Sequence, residues 1–391
     1  MTPPSLSYIL NHLGEDRATY KNAVAPPLFQ NSNFCFETVS EMRQALTNEK
    51  ENPFYTRGCN PTVQTLRKKL AALEQADDAL VFGSGCAAIA AAVMSCVQLN
   101  SHVVSVSKPY SWTYKLFTQL LVKYGVTTSF VDGTKVENIA AAITPNTSLI
   151  YLESPNSMTF ELQDLAAVAY LAKSKNIPTI CDNSYSTGLN QSPIALGIDM
   201  SVHSGTKYYA GHSDLVAGVL VGSQVKINTI FANEYMTLGG ILSPHDAWLM
   251  LRSLRTLPLR LDKSTDTAHK VIKYLNNHPK VAAVIYPHHT SFAQYELAQK
   301  QMKQAGGLFS IRLNTQNRCD VEAFCDGLRY FLLACSWGGY ESLVFPAAAL
   351  DVSQNYNKNT LGIDLVRLYV GLEEADVLIE DLRQALDNIK T

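Results

Sequence analysis

Charge is scarce in this 391-residue chain: Asp, Glu, Lys and Arg together make up 17% of it, and the net charge is -2. With no basic block there is no electrostatic footprint for nucleic acid or an anionic membrane surface, so neither is expected as a partner. No apolar run approaches the roughly 20 residues that span a bilayer. The start, Met1-Thr-Pro-Pro, lacks the charged and apolar segments of a secretory signal, so none is expected. The eight cysteines, at positions 35, 59, 86, 96, 181, 319, 325 and 335, include no CxxC pair. A zinc knuckle or dithiol redox motif is therefore not expected, nor any metal site. Cys96 and Cys181 lie in apolar runs and read as small core residues of a cytoplasmic protein. Repeats and low-complexity segments are absent.

Hydrophobic residues, by contrast, make up 47% of the chain, and a length of 391 residues exceeds what one small core needs. Residues 1–50, with Pro26-Pro27 and a polar helix over Thr38–Asn48, read as an extended arm that lies on a partner subunit. Residues 51–245 alternate strands and helices. Strands are expected at His102–Val106, Thr127–Val131, Ser148–Leu152, Thr179–Cys181 and Ile198–Val202, with another over Leu215–Val221. Helices are expected at Pro61–Ala76, Trp112–Tyr124, Lys135–Ile143, Leu162–Lys175 and Ser192–Leu196. Such alternation predicts an α/β fold whose mostly parallel sheet is covered on both faces. Residues 246–391 change texture and read as a smaller α+β domain, entered through an Asp246–Arg260 helix that ends at Leu257-Pro258.

Ligands of such sheets bind beyond the carboxyl ends of the strands. Three reactive side chains fall there: Glu153, Asp182 and, a few residues past Val202, Lys207. Lys207 sits among Ser204, Thr206 and glycines between two apolar strands, a setting that suits an amine awaiting a carbonyl as well as a snorkelling charge. A carboxylate at Asp182 fits a pyridinium nitrogen or a turn cap equally well. The turn Gly83-Ser84-Gly85 opens an alanine-rich helix and could bind an anion or be an ordinary strand-to-helix turn; it lacks the GxGxxG and Walker A spacing. Tyr55 and Arg57, two apart before a helix, could hold a phosphate or lie on the surface; Tyr110, in a post-strand turn, could stack on a flat ring or simply pack. Arg367, inside the apolar strand Leu365–Val370, needs an anion: a substrate carboxylate or an internal acid.

Taken together, Tyr55-Thr56-Arg57, Ser84-Gly85-Cys86-Ala87-Ala88, Glu153-Ser-Pro155, Cys181-Asp182-Asn183, Ser204-Gly-Thr206-Lys207-Tyr208, Gly211-His212-Ser213-Asp214 and Arg367-Leu-Tyr-Val-Gly371 resemble the trans-sulfuration (Cys/Met metabolism) family of enzymes dependent on pyridoxal 5'-phosphate. The motifs run in the family's order from about residue 20 onward. Ser336-Trp337-Gly-Gly-Tyr340 resembles its bacterial cystathionine β-lyase branch, whereas Cys335 departs from the tyrosine usual there and from the glutamate of several γ-acting relatives. Trp112 stands where methionine-cleaving γ-lyases carry cysteine, and Arg57-Gly-Cys-Asn-Pro-Thr62 is closer to the family at large.

The resemblance implies a fold type I, aminotransferase-like architecture and a homo-oligomer, dimers with shared sites that pair into tetramers. It implies that Lys207 bonds to the cofactor aldehyde and then carries the Cα proton, that Asp182 pairs with the pyridine nitrogen, and that Tyr110 stacks on the ring and assists as an acid–base group. Gly85, Cys86, Ser204 and Thr206 would hold the phosphate, joined by Tyr55 and Arg57 of a neighbouring subunit. Arg367 and Ser336 would clamp the substrate α-carboxylate, with Trp337 along its distal part. The activity implied is β-cleavage of cystathionine or a similar cysteine thioether to a thiol, pyruvate and ammonia. The alternatives are a cystathionine γ-synthase or γ-lyase, and a silent protein of the same fold used for binding or regulation.

Overall fold

Apolar strands and the helices between them form a seven-stranded sheet in the computed structural model, which describes residues 4–350 and 361–389. Its strands are β1 (Asp78–Phe82), β2 (His102–Val106), β3 (Thr127–Val131), β4 (Thr147–Glu153), β5 (Thr179–Asp182), β6 (Met200–Ser204) and β7 (Gly218–Gly222). The order is β1-β7-β6-β5-β4-β2-β3. Strands β2 to β6 pair in parallel, as expected from the alternation. The β7 edge is different: β7 runs antiparallel to both β6 and β1, the chain returning alongside β6 after the segment that carries Lys207.

Helix α1 (Pro61–Leu73) starts where Asn60 accepts the Thr62 N–H at 3.0 Å and Pro61 occupies the first turn. It buries Leu66, Leu70 and Leu73. Helix α2 (Gly85–Met94) is capped by Ser84, whose Oγ accepts the Ala87 N–H at 3.1 Å. Its alanines allow a close approach to the sheet, and Gly218 completes the fit: a Cβ there would lie 2.0 Å from the Ser84 carbonyl oxygen. The stretch expected as a helix at Ser192–Leu196 is a turn, with Gly197 at φ +97° ending it, and a short helix forms earlier, at Thr187–Asn190.

Pro258 does not close the connecting helix. One helix ends at Leu254 and the next, α3 (Leu257–Leu275), begins with Pro258 in its first turn, where proline's missing N–H is not needed. Beyond it lies a five-stranded sheet, order β10-β11-β12-β9-β8, built from β8 (Val281–Ile285), β9 (Leu308–Leu313), β10 (Leu332–Leu333), β11 (Leu343–Pro346) and β12 (Leu365–Tyr369). Helices α4 (Arg318–Gly327) and α5 (Ala375–Asp387) pack with it. One core runs through both sheets, from Val81 and Val219 to Phe309 and Leu368. The first residues of the expected arm dock on their own chain: Lys69 donates to the Ile9 and Leu10 carbonyls and pairs with the buried Glu15. Farther along, Val24 and Val39 stand exposed.

Candidate active site

The carboxyl ends of β4, β5 and β6 deliver Glu153, Asp182 and Ser204 to one edge of the sheet, with Glu153 directly opposite Asp182 in the ladder. Lys207 follows in the turn between β6 and β7. Its Nζ donates to Ser336 Oγ at 2.7 Å and lies 5.8 Å from the centre of the Trp337 ring. Burial pushes its amine down to about 8, and the positive charge of Arg367 adds to the shift. Cys335, Asp182 and Cys86 oppose it, which places all of these groups within electrostatic reach of Lys207.

The loop carrying Ser336 belongs to the chain's second half, and it packs on the lysine segment through Gly338. At φ +88° this glycine has no room for a side chain: a Cβ would meet Tyr208 N at 2.7 Å and the Lys207 carbonyl carbon at 2.9 Å. Trp337 is buried edge-on to Tyr208, ring centres 5.3 Å apart, and tilted against Tyr185. Its ring thus lies beside the Lys207 amine. Arg367 on β12 is 8% exposed. Its Nη1 donates to the Ser157 carbonyl at 3.0 Å, and its guanidinium lies 5.2 Å from the Phe345 ring centre.

Asp182 is buried, which raises its pKa, while the Ser184 hydroxyl and N–H, His203 and Lys207 favour the ionised form. The Ser184 N–H reaches Asp182 Oδ1 at 2.9 Å, and the Ser184 hydroxyl accepts the Ser204 N–H at 2.6 Å. Ser184 therefore ties the carboxylate to the end of β6. Behind the two strands, His203 Nε2 lies 2.7 Å from Glu74 Oε1, and Asn183 donates to the same oxygen at 3.1 Å. These supports were not assigned in the sequence. Only the serine two residues after a strand-end aspartate, an Asx-turn pattern, signalled one of them.

At the other end of the cleft Gly85 and Cys86 open α2, where amides lack intrahelical acceptors. Gly85 presses against β6, so a Cβ there would lie 2.9 Å from Ser204 Cα. The Thr206 hydroxyl accepts the Ala217 N–H at 3.0 Å. Tyr110, about a third exposed, is hydrogen-bonded to Cys86, and its N–H donates to Glu153 Oε2 at 2.6 Å. Tyr55 and Arg57 are not part of this cluster within the chain. Both are exposed; the guanidinium lies 5.5 Å from the Tyr55 ring centre, and the arginine stem passes Gly239.

An amine of depressed pKa, a buried carboxylate, a tyrosine and an amide-and-hydroxyl cradle form a donor set that fits pyridoxal phosphate: aldehyde, ring nitrogen, ring face and phosphate each find a counterpart. Among the described residues no group of three or more His, Cys, Asp or Glu could hold a metal ion. No helix among them is long and apolar enough to cross a membrane.

The family model described as Cys/Met metabolism PLP-dependent enzyme matches residues 8–387. The L-methionine gamma-lyase of Pseudomonas deceptionensis is 36% identical over 96% of this chain and 95% of its own. The cystathionine gamma-lyase of Bacillus subtilis is 36% identical over 94% and 95%, respectively. The L-alanine/L-glutamate racemase of Wolbachia pipientis wMel is 33% identical over 97% and 96%. The crystal structure of metB from Corynebacterium glutamicum superposes with a TM-score of 0.93 at 32% identity, covering 99% of both chains.

Proposed function

The chain belongs to the Cys/Met metabolism family of PLP-dependent enzymes, and on that footing we propose that it cleaves the Cβ–S bond of L-cystathionine or a related cysteine thioether, giving a thiol, pyruvate and ammonia. The observation that carries this reading is the Lys207 amine, its pKa brought down to about 8, held by Ser336 at 2.7 Å and within the field of both Arg367 and Asp182. Pyridoxal phosphate, when bound, withdraws electrons from the substrate Cα, which makes its proton acidic.

The chain's own residues supply the rest. Arg367 and Ser336 bind the substrate α-carboxylate, a planar anion suited to a guanidinium fork. That contact aims Cα at Lys207 Nζ, which is neutral in a useful fraction near pH 8, takes the proton and returns it to the departing sulfur. Asp182, whose ionised form the Ser184 N–H favours, would face the ring nitrogen. Gly85, Cys86, Ser204 and Thr206 hold the phosphate, and Tyr55 and Arg57, exposed on this chain, complete a neighbouring copy's site within a dimer or tetramer. Tyr110 covers the ring and hydrogen-bonds near it. The arm (1–50), large domain (51–245) and small domain (246–391) then act as clasp, cofactor cradle and carboxylate clamp.

The β-specific reading rests on Ser336-Trp337-Gly-Gly-Tyr340 and on Trp112. The relatives named gamma-lyases favour a second reading, release of the sulfur from Cγ. Product analysis on cystathionine separates them. Pyruvate with homocysteine is the expected result; 2-oxobutyrate with cysteine overturns β-cleavage in favour of the second reading. Absence of any C–S cleavage by the cofactor-loaded protein overturns both and leaves the silent binding protein.

A further inference from the structure

Glu153 is among the most buried acids of the protein, at 4% exposure, and none of the steps above uses it. Its neighbours are unusual in kind. The carboxyl oxygen Oε2 accepts the Tyr110 N–H at 2.6 Å, and Tyr110 opens the helix that follows β2 without a side-chain cap of its own. The Ser157 N–H also donates to the Glu153 carboxyl, while the Ser157 carbonyl accepts from Arg367 Nη1 at 3.0 Å. On the other side, the β4–β5 ladder sets Glu153 beside Asp182. A single carboxyl thus bridges the turn that places Tyr110 and the loop that holds Arg367, immediately next to the acid that faces the ring nitrogen.

We propose that Glu153 is a positioning residue, whose carboxyl serves as a two-ended hydrogen-bond strut that fixes Tyr110 over the cofactor ring and, through Ser157, aims Arg367 at the substrate α-carboxylate. The role rests on the assignments of Tyr110, Asp182 and Arg367 made above. Two neighbouring buried carboxyls do not both ionise readily. Asp182 has Ser184, His203 and Lys207 to favour its charge. Glu153 faces the acids Asp182 and Glu161, with the backbone N–H groups of Tyr110 and Ser157 opposing, and burial together with the Asp182 charge holds its carboxyl well above the usual range. These surroundings favour the protonated form at Glu153 over that at Asp182, and a strut of that kind needs length and acceptor oxygens rather than charge.

That makes two conservative variants diverge. Glu153→Gln keeps the length and one acceptor oxygen. Glu153→Asp keeps the acid but falls short by one methylene, which leaves the Tyr110 and Ser157 N–H groups without their partner. Both are made as holoenzyme. Visible-region circular dichroism of the bound cofactor reads ring seating, and steady-state kinetics separates kcat from KM. Glu153→Gln, which keeps the length but only one acceptor oxygen for the two N–H groups, is expected to keep more of the wild-type dichroism and to lose less kcat/KM than Glu153→Asp. Glu153→Asp is expected to change the dichroism and to lose about tenfold or more in kcat/KM, largely through KM, because Arg367 loses its aim. Wild-type behaviour in both variants overturns the proposal, as does any loss in Glu153→Gln matching that of Glu153→Asp. The dichroism reads the holoprotein directly, so it decides the role of Glu153 even if wild-type protein proves to cleave no thioether, the outcome that defeats the functional reading instead.

Discussion

The depressed basicity of Lys207 has a consequence that needs no substrate. Only a neutral amine attacks an aldehyde. With a value of about 8, roughly one amine in ten is neutral at pH 7, about half at pH 8 and nearly all above pH 9; an unperturbed lysine, at 10.5, would be neutral in only about one molecule in 3,000 at pH 7. Covalent capture of pyridoxal phosphate by the apoprotein should therefore be about 300-fold faster at pH 7 than for a solvated lysine of equal intrinsic reactivity. It should rise about tenfold between pH 7 and 9 and then level off. Stopped-flow absorbance of apoprotein mixed with pyridoxal phosphate measures this directly, across pH 6.5 to 10. The Arg367→Leu variant removes the second cause of the shift and should move the plateau to higher pH. A rate still climbing about tenfold per pH unit beyond pH 9 would refute the reasoning, as would equal capture by Lys207→Ala.

The same amine burdens the fold. Its folded-state pKa lies below its unfolded one, so the protonated form costs stability in full below about pH 8, and the cost is relieved as pH rises from about 8 to 10.5. A shift of this size is worth about 3 kcal/mol, less about 1 kcal/mol for the lost hydrogen bond to Ser336. Apoprotein carrying Lys207→Met should accordingly be about 2 kcal/mol more stable at pH 7, with the gain gone near pH 10.5, as urea melts at the two pH values will show. Gly338→Ala combines a φ of +88° with a clash against the Lys207 backbone; a loss of about 2 kcal/mol or more and a tenfold drop in kcat/KM are expected, and unchanged melting would count against the packing of that loop on the lysine segment. Arg57→Ala should retain cofactor poorly as a homo-oligomer yet regain partial activity when mixed with Lys207→Ala. No rescue in the mixture would rule out sites shared between subunits. Glu74→Leu removes a buried hydrogen-bond partner of both His203 and Asn183 and should cost about 1–3 kcal/mol, read as a fall in melting temperature.

How much of this could be seen in the residues varies with the range of the interaction involved. The parallel strands are legible because each is a short apolar run closed by a turn, and the strand-end positions of Glu153 and Asp182, with Lys207 a few residues past the next strand, follow from them. The antiparallel return of β7 is not, since an apolar run is the same whichever way it pairs. The stretch at residues 192–196 has the proline start and apolar spacing of a helix, yet five residues before Gly197 at φ +97° close only as a turn. Pro258 was placed at a helix end because proline stops the helix before it, although it equally well starts the one that follows. Trp337 is expected from its motif to lie along the substrate, and only the tertiary packing shows that its ring also rests against Tyr208 and Tyr185.

The sequence by itself determined the alternation that makes the sheet, the lysine between two apolar strands and the family to which the motifs point. Those features are local: they depend on neighbours within a few positions. Only the tertiary structure decided what surrounds the lysine. Ser336 and Arg367 stand more than a hundred residues away in the chain, and Glu153 more than fifty. The hydrogen bond of Ser336 and the charge of Arg367 arise because the second sheet folds against the first, and the contacts of Glu153 arise because β2, β4 and β5 lie side by side. Burial and electric fields act through space, so no reading along the chain can supply them.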